Sequence, residues 1–189
     1  MRIRRLSYLA GIFAIILAEM ACTLNIGGPA YPTPAIPIST EAMGDLQSGL
    51  ETAISNGAGS GQVTLNITEP QLTSYLSYTL QDHSKPFITH PQVYLRDGEL
   101  QVYGTITQGY FQANVRIILS AGVDDQGQLK IGLNSANFGP LPIPNGLTEI
   151  VTAAVQEAYT GALGPVATGF RLQSVTITDG SMTIVGQIK

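Results

Sequence analysis

The chain has 189 residues, 44% of them hydrophobic and only 12% charged, with a formal net charge of −4. An acidic chain has no electrostatic footprint for nucleic acid and no polybasic patch for anionic head groups. A single cysteine excludes an intramolecular disulfide, and the length suits one domain behind a short leader.

The first 21 residues read as a secretory signal. Arg2, Arg4 and Arg5 make a basic start, Leu6 to Ala18 is apolar apart from Ser7, and Glu19 ends the run. A membrane-spanning helix needs roughly 20 apolar residues, so this shorter run fits a cleaved export signal. An uncleaved N-terminal anchor would export the domain equally. Cys22 stands where a bacterial lipoprotein carries its lipidated cysteine. The preceding Leu17-Ala18-Glu19-Met20-Ala21 resembles a lipobox, with Glu19 in a position that is usually aliphatic. Cys22 is therefore the candidate lipid-attachment residue. Residues 22–38 hold Gly27, Gly28, Pro29, Pro32, Pro34 and Pro37. Such a composition is expected to give an extended, solvated tether ahead of a single domain over 39–189.

Residues 40–55 are predicted helical, with Met43, Leu46, Leu50, Ala53 and Ile54 on one face. Asn56-Gly57-Ala58-Gly59-Ser60-Gly61 is expected to end that helix and open a flexible link. No Gly-Lys-Ser/Thr follows it, so it lacks the lysine and hydroxyl of a phosphate loop. Gln62 to Ile67 alternates as a strand. Thr68-Glu69-Pro70-Gln71 is a capping box with proline in the first turn, opening a helix from 69 to about 82 with Leu72, Tyr75, Leu76 and Leu80 on one face.

The middle of the chain reads as antiparallel sheet. Asp97-Gly98 between two alternating runs is a strong two-residue hairpin signal, and Gln108-Gly109 offers the next turn. Ala113, Val115, Ile117, Leu119, Ala121 and Val123 then face one way over a long strand, with Ile118 the exception. Asp124-Asp125-Gln126-Gly127 turns the chain, and Leu129, Ile131 and Leu133 continue a one-sided pattern. Gly139-Pro140-Leu141-Pro142-Ile143-Pro144 excludes regular structure. Asn145 then caps a predicted helix to about 163, with Leu147, Ile150, Val151, Ala154, Val155, Ala158 and Tyr159 as a broad apolar stripe. A hairpin at Asp179-Gly180 closes the chain. Sheets apolar on one face must be covered on it, so the order implies an α+β fold: a long curved antiparallel sheet wrapped around a long helix.

Little in the sequence points to catalysis. Asp82-His83-Ser84 contains triad residue types, but adjacent side chains at a helix end point apart, and triads are defined by geometry. His83, His90 and Asp82 do not have the spacing of a zinc site. Asp124-Asp125-Gln126-Gly127-Gln128 starts like a calcium loop and then continues Leu129-Lys130-Ile131, without the later oxygen ligands. Asn66-Ile67-Thr68 has the form of a glycosylation sequon but falls in a predicted strand. The expectation is a non-enzymatic protein with no cofactor or metal. Periodicity alone cannot separate side chains lining a dry core from side chains lining a lipid groove.

Several segments together resemble a family. These are Ile67-Thr68-Glu69-Pro70-Gln71-Leu72-Thr73-Ser74-Tyr75-Leu76, Pro91-Gln92-Val93-Tyr94-Leu95-Arg96-Asp97-Gly98-Glu99-Leu100, the proline loop at 139–144 and Ser174-Val175-Thr176-Ile177-Thr178-Asp179-Gly180. They are similar to the LmeA-like and YpmS-like bacterial lipid-binding proteins of the tubular lipid-binding (TULIP-like) superfamily. The resemblance implies a curved sheet wrapping a long helix, here 145–163, with additional N-terminal helices and an enclosed phospholipid or other acyl-chain lipid. It makes Val115, Ile117, Leu119, Ile131, Leu133, Ile150 and Ala154 groove-lining candidates and carries over no catalytic residue. The expected setting is the cell envelope, on the outer face of the cytoplasmic membrane and anchored through Cys22. The competing expectation is a structural or partner-binding lipoprotein whose core is full.

Overall fold

Turn chemistry builds the sheet. β3 (Thr89–Arg96) and β4 (Glu99–Gln108) are joined by Asp97-Gly98, whose φ angles are 56° and 75°, the two positive values a type I′ turn requires. β4 passes to β5 (Phe111–Val123) through Gly109-Tyr110. Gly109 takes φ 62° at the first turn position, where a II′ turn needs glycine. Between β5 and β6 (Leu129–Asn137), Asp124 Oδ1 accepts from the N–H groups of Gln126 at 2.9 Å and Gln128 at 2.8 Å. That carboxylate is occupied by the turn, which is the hairpin reading of Asp124-Asp125. β7 (Phe170–Thr178) and β8 (Ser181–Ile188) form the last hairpin.

The computed structural model describes residues 24–81, 88–143, 145 and 170–188. The export signal, Cys22, Asp82-His83-Ser84, and the expected helix 145–163 beyond Asn145, with Ile150 and Ala154, lie outside them. One sheet runs β1-β5-β4-β3, and β6 also pairs with β5. The two-residue β1 (Leu24–Asn25) is parallel to β5 at Phe111–Gln112, while β6 pairs with β5 over Arg116–Val123. β4 covers the other edge of β5, so β1 and β6 share one edge in succession. The second sheet runs β2-β8-β7, with β2 spanning Gln62–Thr68. Leu172 N–H donates to Gly127 O at 2.8 Å and Gly180 N–H to Leu95 O at 3.0 Å, stitching the sheets together. The result is a mixed α+β fold, a curled half-barrel rich in antiparallel pairing, with two helices among the described residues.

The first helix, α1 (Thr40–Ser60), is capped by Ser39, whose Oγ accepts from Ala42 N–H at 3.0 Å, the usual way to satisfy a free first-turn donor. Its Leu46, Leu50 and Ala53 are buried over the second sheet against Val63, Leu65, Ile67, Met182 and Ile184. The helix does not stop near 55. It runs through Asn56-Gly57-Ala58-Gly59-Ser60 and ends at Gly61, whose N–H donates to Gly57 O at 2.8 Å. Gly57 is buried, and a β-carbon there would collide with the Val63 side chain. Its absence lets β2 fold straight back beneath the helix, so this glycine provides close approach rather than a flexible link.

The second helix, α2 (Glu69–Gln81), opens with Thr68 N–H donating to Gln71 Oε1 at 2.9 Å, the reciprocal bond of the predicted capping box. Its deepest face is polar. Thr73, Ser74 and Ser77 are essentially inaccessible, while Leu72, Tyr75, Leu76 and Leu80 are partly buried to either side. Thr73 Oγ1 accepts from Val93 N–H at 2.9 Å, and Glu69 Oε1 accepts from Leu95 N–H at 2.7 Å. Residues four apart on a helix lie on one face, and alternate strand residues present their N–H groups to one side at a similar spacing. α2 thus stands in for a missing strand at the β3 edge, where open N–H groups would invite pairing with another chain.

Register slips set which residues face inward. The β5–β6 ladder passes from Ile118–Ser135 to Leu119–Leu133, leaving Asn134 as an extra residue on β6. A bulge changes the side-chain parity of its strand. Leu133 and Ala136 therefore both join the apolar face, and the new parity carries Phe138 inward, where it is 2% exposed.

Candidate functional site

The apolar trough is one candidate. It is the inner face of the first sheet, built from Val93, Val102, Ile106, Val115, Ile117 and Leu119, with Leu72, Leu76 and Leu80 of α2 laid against it. The described candidates split by depth. Val115 and Ile117 are 0% and 4% exposed, Leu119 is buried at 9%, and Ile131 and Leu133 are only half-buried. The β4–β5 half is packed by Phe138 and the α2 leucines, and the β6 margin is less deeply covered. Cross-strand pairing brings Leu119 to Leu133 and Ala121 to Ile131, so the described candidates form one continuous surface. Ile150 and Ala154 are outside the described residues.

The other face of the same sheet holds a cleft walled by prolines, Ala35 and Ile36, with a charged pair at its floor. Residues 24–38 lie along it rather than standing free as a tether. Gln92 clamps Ile36 from both sides, accepting from its N–H at 2.6 Å and donating to its carbonyl at 3.1 Å. Tyr94 donates its hydroxyl to Pro32 O or Pro34 O, at 3.2 and 3.3 Å. Tyr31 reaches Thr105 Oγ1 at 3.1 Å and packs at a tilt on Tyr103, with ring centroids 6.1 Å apart. Prolines cannot donate backbone bonds, but their carbonyls accept well, and tyrosine hydroxyls supply the donors. Between the strip and the sheet lies a cleft of about 380 Å³, floored by Glu69, Pro70, Tyr94, Arg96 and Gln101.

The charged pair in this cleft is already engaged. Both Glu69 oxygens face the Arg96 guanidinium, and Glu69 Oε1 also accepts from Leu95 N–H. Arg96 lies 5.8 Å from the Tyr94 ring centroid, within range of a cation–π contact. A carboxylate that already accepts from two partners is a poor general base, so the arrangement orders the β3 edge rather than moving protons. The sequence places Glu69 in a capping motif and Arg96 beside the Asp97-Gly98 turn, and nothing in either pattern pairs them. Their meeting depends on the pairing of α2 with β3, which no local pattern encodes.

Two tyrosines respond to this packing. Burial first, and then the nearby Glu69 carboxylate, push the Tyr94 hydroxyl above the ordinary value of 10.0. Burial raises Tyr31 as well, partly offset by its bond to Thr105. A folded-state value above the unfolded one means that the contribution to stability is complete below about pH 10 and is lost as pH rises through the folded value. We expect the strip to undock above pH 10, before the sheet unfolds. Limited proteolysis read against phenolate absorbance checks this. Tyr94→Phe, which lacks both the bonds to the strip and a hydroxyl to titrate, should raise cleavage at 24–38 already at neutral pH and flatten its further rise above pH 10. Cleavage unchanged to the point of global unfolding would contradict it.

Among the described residues no three His, Cys, Asp or Glu side chains gather as a metal site, and no helix is long and apolar enough to cross a membrane. His90 lies in β3 at φ 51°, with its carbonyl 3.3 Å from the Tyr31 hydroxyl. Neither a protein-family model nor a curated protein sequence matches this chain.

Proposed function

We propose that this protein is an exported envelope domain that binds phospholipid or another acyl-chain lipid along the β5–β6 side of its apolar trough. The observation that carries the reading is the gradient across that trough. A single apolar cluster runs from α2 to β6, closed over Val115 and Ile117 and only half-covered at Ile131 and Leu133. An acyl chain lying on that margin gains about 0.8 kcal/mol for each methylene removed from water. The resemblance to the LmeA-like and YpmS-like proteins of the TULIP-like superfamily supports the same reading. It would place a long helix, with Ile150 and Ala154, on the far wall. In this proposal the protein binds without converting its ligand, needs no cofactor, and is held at the outer face of the cytoplasmic membrane by a lipid on Cys22.

Native mass spectrometry of the protein purified from its membrane, with organic extraction of the same sample, tests this. Lipid should co-purify, and Leu133→Asp should lower the loaded fraction about tenfold, as expected for roughly 1.4 kcal/mol of lost binding. Leu133 is half-buried, so the fold should survive the change. A second reading is favoured by the depth of Val115, Ile117 and Phe138: a partner-binding envelope protein whose core is full. A clean apo mass and a lipid-free extract would reject the first reading in favour of this one.

A further inference from the structure

The β4–β5 hairpin ends in Gly109-Tyr110, followed by Phe111. Tyr110 is 68% exposed and Phe111 47%. Leu24, 60% exposed, sits beside them: it pairs in register with Phe111, and its N–H donates to Tyr110 O at 2.7 Å. Ile26 and Gly27 continue this pairing to Gln112 and Asn114, so the contact is fixed by backbone bonds. Three large apolar or aromatic side chains thus meet in the open at one end of the sheet.

The charge distribution is polarised along the same strands. Residues 20–40, 100–115 and 131–148 contain no Asp, Glu, Lys or Arg. The β3–β4 and β5–β6 turns, at the other end of the meander, carry Arg96, Asp97, Glu99, Asp124, Asp125 and Lys130. Asp179 of the β7–β8 turn joins that charged end, its Oδ1 3.4 Å from Asp97 N–H. Among the described residues, Leu24–Gly28 and Thr105–Val115, which build the tip, carry no charged side chain.

The chain itself indicates what the tip meets. Leu24 follows Cys22 by two positions and the last residue of the apolar run, Ala18, by six. Six residues reach at most about 20 Å when fully extended. Whether the run 6–18 or a lipid on Cys22 holds the chain in a bilayer, Leu24 is confined near its surface. The head-group layer on each side of the hydrocarbon core is roughly 5–8 Å thick. Tyrosine, with an apolar ring and a polar tip, is enriched there.

We infer that the β4–β5 tip, with Tyr110, Phe111 and Leu24, is a bilayer-contact patch that seats the domain on the membrane, its charged turns held away in water. The inference rests on the membrane placement proposed above and is independent of lipid occupancy in the trough. It makes the N-terminal attachment and the tip two points of one footprint, which fixes an orientation that a tether alone would leave free.

The test uses the full chain purified from its membrane with Cys22 retained, with an environment-sensitive fluorescent side chain in place of Tyr110 or, as control, of Gln126 in the opposite turn. Each is reconstituted in vesicles of equal parts phosphatidylethanolamine and phosphatidylglycerol and checked by flotation. Emission at 110 should rise several-fold and be quenched by spin-labelled lipid, while 126 reports water. Adding Phe111→Asp should reduce the quenching at 110. A chain that floats with both positions in water overturns the tip contact alone. A chain that does not float overturns the membrane placement and this inference with it. A rise at 110 that follows protein concentration without vesicles would mean that a second copy covers the tip, and would also overturn it.

Discussion

Replacing Glu69 with alanine is expected to lower stability by roughly 2–3 kcal/mol, among the largest losses from any single polar side chain in this fold. Glu69 is 9% exposed, in the first turn of α2. Its carboxylate holds Leu95 N–H at 2.7 Å and engages Arg96 with both oxygens. Leu95 is completely inaccessible, so the truncated protein leaves a buried donor without its acceptor. The loss of a negative charge at the helix N-terminus adds to this. The ion pair itself contributes less, because the Arg96 side chain is 40% exposed and solvent screens it. The variants should therefore rank in a definite order. Glu69→Ala costs most, Glu69→Gln about half as much because it keeps an acceptor for Leu95, and Arg96→Ala less than about 1 kcal/mol. Urea unfolding measures this as a fall in midpoint at unchanged slope. If Arg96→Ala cost as much as Glu69→Ala, the ion pair rather than the Leu95 bond would be holding the edge.

What the sequence encodes locally can be read from it, and Glu69 marks where local encoding ends. The Asp97-Gly98 turn, the Thr68–Gln71 bond and the long alternation of β5 are set by residues within a few positions of one another, and all three occur as their patterns imply. The face of α2 does not follow from the pattern. Hydrophobic periodicity selects Leu72, Tyr75, Leu76 and Leu80, whereas the most buried positions are Thr73, Ser74 and Ser77. Thr73 is buried there as the acceptor for Val93 N–H at the sheet edge, Ser74 Oγ accepts from Ser39 N–H at 3.1 Å, Ser77 Oγ donates to Thr73 O at 2.7 Å, and a larger apolar side chain would hold the helix away. The same limit explains residues 24–38 and Asn56–Ser60. Their prolines and glycines exclude ordinary strand or suggest flexibility, yet the partners that order them, Gln92, Tyr94 and Val63, lie elsewhere in the chain. The strands lining the candidate trough were legible, but its depth was not. The Asn134 bulge decides that Ala136 and Phe138 turn inward, and only the pairing with β5 reveals it.

Phe138 is where the two functional readings give different results. It is 2% exposed and packs in the cluster that contains Val115, Ile117 and Leu119, with Leu133 and Ala136 at its margin. Truncation of a buried phenylalanine typically costs about 3–5 kcal/mol, more when the surroundings cannot collapse. Here the sheet and α2, which both contribute to this cluster, are fixed by hydrogen bonds, so collapse is limited and Phe138→Ala should fall in that range. In a chain of this length the loss corresponds to roughly 10 °C in melting temperature. If the trough is a filled core, the new cavity stays empty and the loss is the same with or without lipid. If an acyl chain lies along the β6 margin, the cavity opens beside it, and the chain can enter space the ring has vacated. A ligand that binds only the folded state stabilises it by mass action. Phosphatidylglycerol in detergent should then restore most of the melting temperature of Phe138→Ala while moving the wild-type protein less. Lipid extracts should show equal or greater loading of the variant. Thermal scans of delipidated and lipid-supplemented protein, run side by side, measure the difference. An unrestored loss with no lipid in the extract would leave the filled core as the only reading that fits the trough.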